Sequence, residues 1–298
     1  MKILILGASG FLGSILHKIL RADHQVVGTT TSNALSSPNF LTFNYTNQYS
    51  LQELLASVKP DCVINCIALA DVDLAEVDEL LALKLNFELP RDLSSVCELE
   101  EIRLIHISTD HFESSESGLH ESDVPIPVNI YGKTKLLGDN ALLKNSKSAV
   151  VIRTNFFGRS ASGKKGLVDF VDKALNSSES IFGYDNITFN PVGAHFLGSC
   201  IHKLIHTNYA GIMNVASPDL ITKFEFLRLV ANTLKLDATR ISPRSYSSSQ
   251  GFANRPHCMV LNTSQFEKFL GVEIPTIEAQ LAMELSGTLR LLEIEESQ

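Results

Sequence analysis

The sequence predicts an α/β fold: a doubly wound parallel sheet carrying a smaller, mixed lobe toward the C-terminal side. Three observations predict it. Short apolar runs alternate with helical periodicity through the first half, a glycine-rich turn follows the first run, and the rhythm breaks after Arg153. Strands that alternate with helices form βαβ units, which set the strands parallel.

Ile3–Leu6 is an apolar run closed by Gly7, the pattern of a strand buried on both faces. Phe11, Leu12, Ile15, Leu16, Ile19 and Leu20 follow at helical spacing. Further strands are expected at Gln25–Thr29, Asp61–Cys66, Ile102–Ser108 and Ala149–Arg153, with helices at Ser50–Val58 and Asp78–Val96. Pro90 has no amide hydrogen, so the second of these helices should kink or restart there. Beyond Arg153, the Gly158–Gly166 and Ser242–Gly251 segments read as loops, and Thr222–Leu234 and Thr276–Ser286 as helices. Glu293–Gln298 reads as a frayed acidic end.

The 298 residues carry 25 Lys+Arg against 33 Asp+Glu, a formal charge of −8 without a basic run. That balance argues against nucleic acid and anionic membrane surfaces as partners. No apolar stretch approaches a membrane span, so the expected location is the cytoplasm. Five cysteines, none in a C-x-x-C pair, make neither a disulfide framework nor a zinc cluster. His202 and His206 stand four apart and could put two ligands on one helix face. No Glu follows the first and no third ligand is evident, so they read as solvated histidines and no metal is expected. His106, inside a strand, reads as a hydrogen-bonded core residue.

Gly7, Gly10 and Gly13 lie between the first strand and the first helix, spaced G-x-x-G-x-x-G. Glycines there let backbone approach a pyrophosphate, and the helix start offers unpaired N–H groups to it. The turn predicts a Rossmann-type NAD(P)-binding core over 1–154. Residues 155–298 would supply the remaining core elements, at about 181–216, and the small substrate lobe. The second strand ends Gly28-Thr29-Thr30-Thr31-Ser32-Asn33 with no carboxylate. An acid there would repel a 2′-phosphate, whereas hydroxyls such as Thr30 can bond it, so NADPH is favoured and NADH is the alternative.

Tyr131-Gly132-Lys133-Thr134-Lys135 opens a helical pattern, which sets Tyr131 and Lys135 on one face. Carbonyl reduction by hydride needs a proton donor at the oxygen and positive charge nearby. A phenol titrates near 10, so exchange at neutral pH needs a shift of about 3 units, or about 4 kcal/mol. The Lys135 ammonium would supply part of it and could also reach the cofactor ribose. Ser108-Thr109-Asp110 ends an apolar strand where α/β sheets bind ligands, and Thr109 offers a second hydroxyl.

At these residues the chain resembles the extended short-chain dehydrogenase/reductases, and within them the dTDP-4-dehydrorhamnose reductases. The likeness runs through residues 7–13, Asn65, Val72, Asp73, Ala75, Glu76, Asn86, residues 108–110 and 131–135, Arg153-Thr154, Arg255-Pro256 and Leu261-Asn262. It implies a catalytic triad of Thr109, Tyr131 and Lys135. It also implies a cofactor lined by Gly10, Phe11, Leu12 and the Cys66-Ile67-Ala68 strand end. The activity implied is NAD(P)H-dependent reduction of a nucleotide-linked 4-keto-6-deoxy sugar, as in dTDP-rhamnose and polysaccharide biosynthesis. A homodimer is compatible with it.

His111 follows Asp110 where related dehydratases carry a Glu, which suits simple reduction. Asn155-Phe156-Phe157 stands where these reductases carry a Trp, and Phe156 is the candidate to stack on the nucleotide base. Asp110 would contact substrate. Arg255 suits either a pyrophosphate clamp or a structural salt bridge, and Lys164-Lys165 either covers the pyrophosphate or is simply exposed. Glu113–Val128, between Thr109 and Tyr131, should border the pocket. The β subunit of methionine adenosyltransferase is similar throughout, so a non-catalytic NADP-binding regulator is the rival expectation.

Overall fold

Alternating apolar residues send Ile3 and Ile5 to one face of the first strand and Leu4 and Leu6 to the other, where each face meets its own helical layer. A computed structural model describes residues 1–31, 39–161, 166–248, 253–271 and 273–286. Its first half runs β1 (Lys2–Leu6), α1 (Phe11–Leu20), β2 (Gln25–Thr30), β3 (Phe40–Thr42), α2 (Gln48–Val58), β4 (Cys62–Asn65), α3 (Val72–Val77) and α4 (Glu79–Leu83). A π-helical turn at Lys84–Glu88 leads into α5 (Leu89–Leu99), β5 (Arg103–Ile107), α6 (Ile130–Asn145) and β6 (Val150–Thr154).

The second half begins with β7 (Phe156–Phe157), α7 (Leu167–Asn176), β8 (Ile181–Tyr184), β9 (Thr188–Phe189), β10 (Val192–Gly193), α8 (Ala194–Leu204) and β11 (Gly211–Val215). After β12 (Ile221–Thr222), α9 (Lys223–Thr233) and a 3₁₀ turn at Ala238–Arg240 come β13 (Ile241–Arg244), β14 (Cys258–Met259), α10 (Ser264–Leu270) and α11 (Ile277–Ser286).

Seven parallel strands make the main sheet in the order β11-β6-β5-β4-β1-β2-β3. Leu12 and Leu16 of α1 with Leu197 and Ile201 of α8 cover one face; Leu51 and Leu55 of α2 with Leu89 and Leu93 of α5 cover the other. This is the doubly wound arrangement the alternation predicts. The smaller lobe has its own core, built from Phe157, Val168, Phe189, Phe226, Val230 and Leu281. Within 181–216, α8 and β11 join the large sheet's core, whereas β8 pairs with β13 in the lobe.

One local expectation is corrected and another is met. Ile241–Arg244 is a strand paired in parallel with β8, not part of a Ser-rich loop; a partner strand overrides weak local propensity. The α-helix restarts beside Pro90, as expected. The π turn widens the coil just ahead of it, with Leu89 N–H donating to the Lys84 carbonyl, so Pro90 falls in the first turn of α5, where no donor is needed. That turn is also a packing surface. A Cβ at Gly138 of α6 would fall on the Asn86 carbonyl oxygen, so glycine is what lets α6 lie against it.

Candidate active site

The turn after β1 is shaped by its glycines. Gly7 has φ +80°, and a Cβ on Gly13 would strike the Gly7 carbonyl oxygen. Gly7 N–H donates to Thr29 Oγ1 at 3.0 Å. Gly10 is the N-cap of α1 with no side-chain cap, which leaves first-turn amides open to an anion beside Phe11 and Leu12. Cys66, Ile67 and Ala68 follow β4, and the position of a Gly7 Cβ lies 3.1 Å from Ile67 Cγ1. Thr30 is the buried last residue of β2. These features fit a dinucleotide: an uncapped helix start, a turn with no room for side chains, and no carboxylate at the adjacent strand end. Ser32, Asn33, Lys164 and Lys165 lie outside the described residues.

Thr109 and Asp110 follow β5 at the same edge of the sheet, and Tyr131 is in the first turn of α6. Asn129 caps that helix, its Oδ1 accepting from Gly132 N–H at 2.8 Å. Tyr131 is half-buried, and the Thr109 hydroxyl interacts with its phenol. Burial pushes its phenol up to about 12, with the Thr109 hydroxyl opposing and the Asp110 and Asp139 charges adding. The expected lowering by Lys135 is absent.

Lys135 is turned beneath the site. Its Nζ donates to the Ile107 carbonyl at 2.8 Å and meets His106 Nε2 at 3.2 Å. The polarity of this chain is set at its far end. Ile67 N–H donates to Asn65 Oδ1 at 3.0 Å, which aims the Asn65 amide nitrogen at His106 Nδ1, also 3.0 Å away. His106 therefore accepts from Asn65 at Nδ1, and its Nε2 meets the Lys135 amine. Burial holds His106 well below its ordinary value and pushes Lys135 down to about 8. Asp139 completes the layer, accepting from Ser108 Oγ at 2.7 Å with Arg153 Nε at 4.0 Å.

A second cation arrives from the other lobe. Lys223, the first residue of α9, sits with Nζ 3.2 Å from the Phe189 ring centroid and is attracted by the Asp110 charge. Burial pushes Asp110 up to about 6, opposed by Lys223 and by the Asn155 amide, which donates to it at 2.9 Å. His111 stands edge-on to Tyr131, ring centroids 5.5 Å apart. Sequence reading assigned neither Lys223 nor Asn155 a role. Asp139, four residues after Lys135, was legible as a helical neighbour but passed over.

Two residues expected to contact substrate have partners within the chain. Phe156, expected to stack on a base, packs edge-to-face on Phe11 at 5.3 Å, because a two-residue strand turns its neighbour Phe157 into the lobe core and Phe156 toward α1. Arg255 forms the salt bridge, Nη2 to Asp73 Oδ2 at 2.8 Å, yet its Nη1 is buried without a partner among the described residues. One donor thus remains for an anion.

A model of the RmlD substrate binding domain matches residues 1–288. A probable low-salt glycan biosynthesis reductase from Haloferax volcanii is 31% identical, over 95% of this chain and 96% of its own length. The methionine adenosyltransferase 2 subunit beta of Xenopus laevis is 26% identical, covering 90% of this chain and 82% of the relative. Among solved structures, a hypothetical dTDP-4-dehydrorhamnose reductase from Sulfolobus tokodaii superposes with TM-score 0.81 at 28% identity, covering 94% of this chain and 99% of that one.

Proposed function

The chain belongs to the RmlD substrate binding domain family, and on that premise we propose that it is an NADPH-dependent reductase of a nucleotide-linked 4-keto-6-deoxy sugar. The observation that carries the reading is the interaction of the Thr109 hydroxyl with the Tyr131 phenol, at the sheet edge where the glycine turn opens. When bound, the cofactor supplies the hydride. Gly7, Gly10, Phe11 and Leu12 would hold its pyrophosphate, Cys66, Ile67 and Ala68 would line it, and Thr30 would face the 2′-phosphate.

Tyr131 keeps its proton at neutral pH and releases it to the carbonyl oxygen as charge develops there. Thr109 orients the same oxygen. Lys135, held from below, fixes the end of β5 and the base of the site. Asp110, Lys223 and the free Arg255 nitrogen suit sugar hydroxyls and the diphosphate. The described residues contain no helix long and apolar enough to cross a membrane, and we place the reaction in the cytoplasm.

The test follows NADPH oxidation with dTDP-, UDP- and GDP-linked 4-keto-6-deoxy sugars. Tyr131→Phe is expected to lower kcat by about 10²–10⁴ while NADPH binds as before; unchanged turnover removes Tyr131 from the chemistry. The likeness to the Xenopus laevis subunit favours a second reading, a non-catalytic NADP-binding regulator. Co-elution with an adenosyltransferase, together with no oxidation on any sugar of the panel, would select it.

A further inference from the structure

At the opposite, amino edge of the main sheet, three histidines from distant parts of the chain converge. Gly198, His202 and His206 recur four residues apart along α8 and just past its end. A Cβ at Gly198 would lie 2.5 Å from Ile19 Cδ1, so this glycine lets α8 lie directly on α1. One turn further, His202 is carried over the turn that joins α1 to β2, where His24 sits. Ring centroids are 5.4 Å apart for His24 and His202, 5.1 Å for His24 and His206, and 5.5 Å for His202 and His206. Each ring offers a nitrogen within 4.8 Å of the other two.

We propose that His24, His202 and His206 form a binding site for a late first-row divalent cation, Zn²⁺ being the reference, that clamps the α1–β2 turn to the end of α8. Zn–N bonds of 2.0–2.1 Å put ligand nitrogens about 3.3 Å apart in a tetrahedron. Side-chain rotations of three rings at the surface close the remaining gap. His24 Nε2 is buried with no hydrogen-bond partner among the described residues, so the ring has an unused donor atom. Asp23 Oδ2 lies 3.6 Å from His202 Nε2, in position to orient that ring or to join the metal.

Neutral imidazole is the form that ligates. Imidazole suits zinc, copper and nickel, not calcium or magnesium. The site is removed from Tyr131 by the length of the strands, so its role is to hold the fold.

The experiment uses the full-length chain without an affinity tag, stripped with chelator and titrated with Zn²⁺ alone. One zinc per chain should bind, with a rise in Tm. His24→Gln and His206→Gln should each weaken binding by about tenfold or more, and the double variant should lose both binding and the Tm response. NADPH affinity should stay unchanged throughout. No saturable binding to the parent, or equal binding to the double variant, overturns the proposal.

Discussion

Two lysines meet the segment that ends β5 from opposite directions, Lys135 at Ile107 and Lys223 at Asp110. Lys135 rises from α6 and is locked by the Ile107 carbonyl and His106 into a buried polar layer. Lys223 opens α9, so its charge faces the positive end of its own helix, and Asp110 and the Phe189 face hold it there. Both are pushed down to about 8 by burial. The first is a strut of the sheet. The second is a charge on the smaller lobe that a ligand arriving between the lobes can engage. The difference teaches that one site can take its rigidity from one lobe and its adjustable charge from the other.

The largest effect that separates them is on stability. Lys135→Met leaves the Ile107 carbonyl and His106 Nε2 without their partner, two buried groups worth about 1–3 kcal/mol each. Urea denaturation should show a loss of about 3 kcal/mol. Lys223→Met, at a half-buried position, should cost less than about 1 kcal/mol. Equal losses would erase the distinction between strut and adjustable charge.

For Lys223 the effect should appear in catalysis. Losing a hydrogen bond to a charged group costs about 1.5–3 kcal/mol, so Lys223→Met should lower kcat/KM for the keto-sugar about tenfold or more. The pH profile gives the sign. Asp110 stands at about 6, so activity that needs its carboxylate falls as pH drops through 6. Removing Lys223 takes away the attraction that opposes burial, so the acid limb should move to higher pH; Asp110→Asn should abolish it. Stability runs the other way. A raised carboxyl contributes fully below its unfolded value near 4, and that contribution is lost as pH rises through about 6. An acid limb unmoved by Lys223→Met would disconnect the two groups.

The same contrast explains what could be read before the structure was known. The glycine turn, Tyr131 and Lys135 were legible because each depends on spacing within one element, and period and turn chemistry report that spacing. The seven-strand order was only half visible, since β3 has three residues and β11 lies beyond the break in rhythm. Where Lys135 points was not legible: spacing put it beside Tyr131, whereas burial and His106 draw it beneath. Lys223, Asn155 and the His24 member of the histidine group are joined to their partners only by tertiary packing. Phe156 misled for the same reason, because an aromatic near a site is assigned by what it packs on, here Phe11.

The smallest effect compares the caps of the helices that carry Tyr131 and Lys223. Thr222 caps α9 in a capping box, its hydroxyl accepting from Glu225 N–H at 3.1 Å while Glu225 Oε2 accepts from Thr222 N–H at 3.0 Å. It is a local device, so Thr222→Ala should cost about 1 kcal/mol and little else. Asn129 caps α6 and also donates to the Asn254 carbonyl at 2.6 Å, joining the helix start to the segment that carries Arg255. Asn129→Ala should cost about 1 kcal/mol for the cap and a further ~1 kcal/mol for the carbonyl left behind. It should also raise KM for the sugar nucleotide, which Thr222→Ala should leave within about twofold. If KM rises equally in both, the lobes are coupled through α9 rather than through Asn129, and the strut would extend into the smaller lobe.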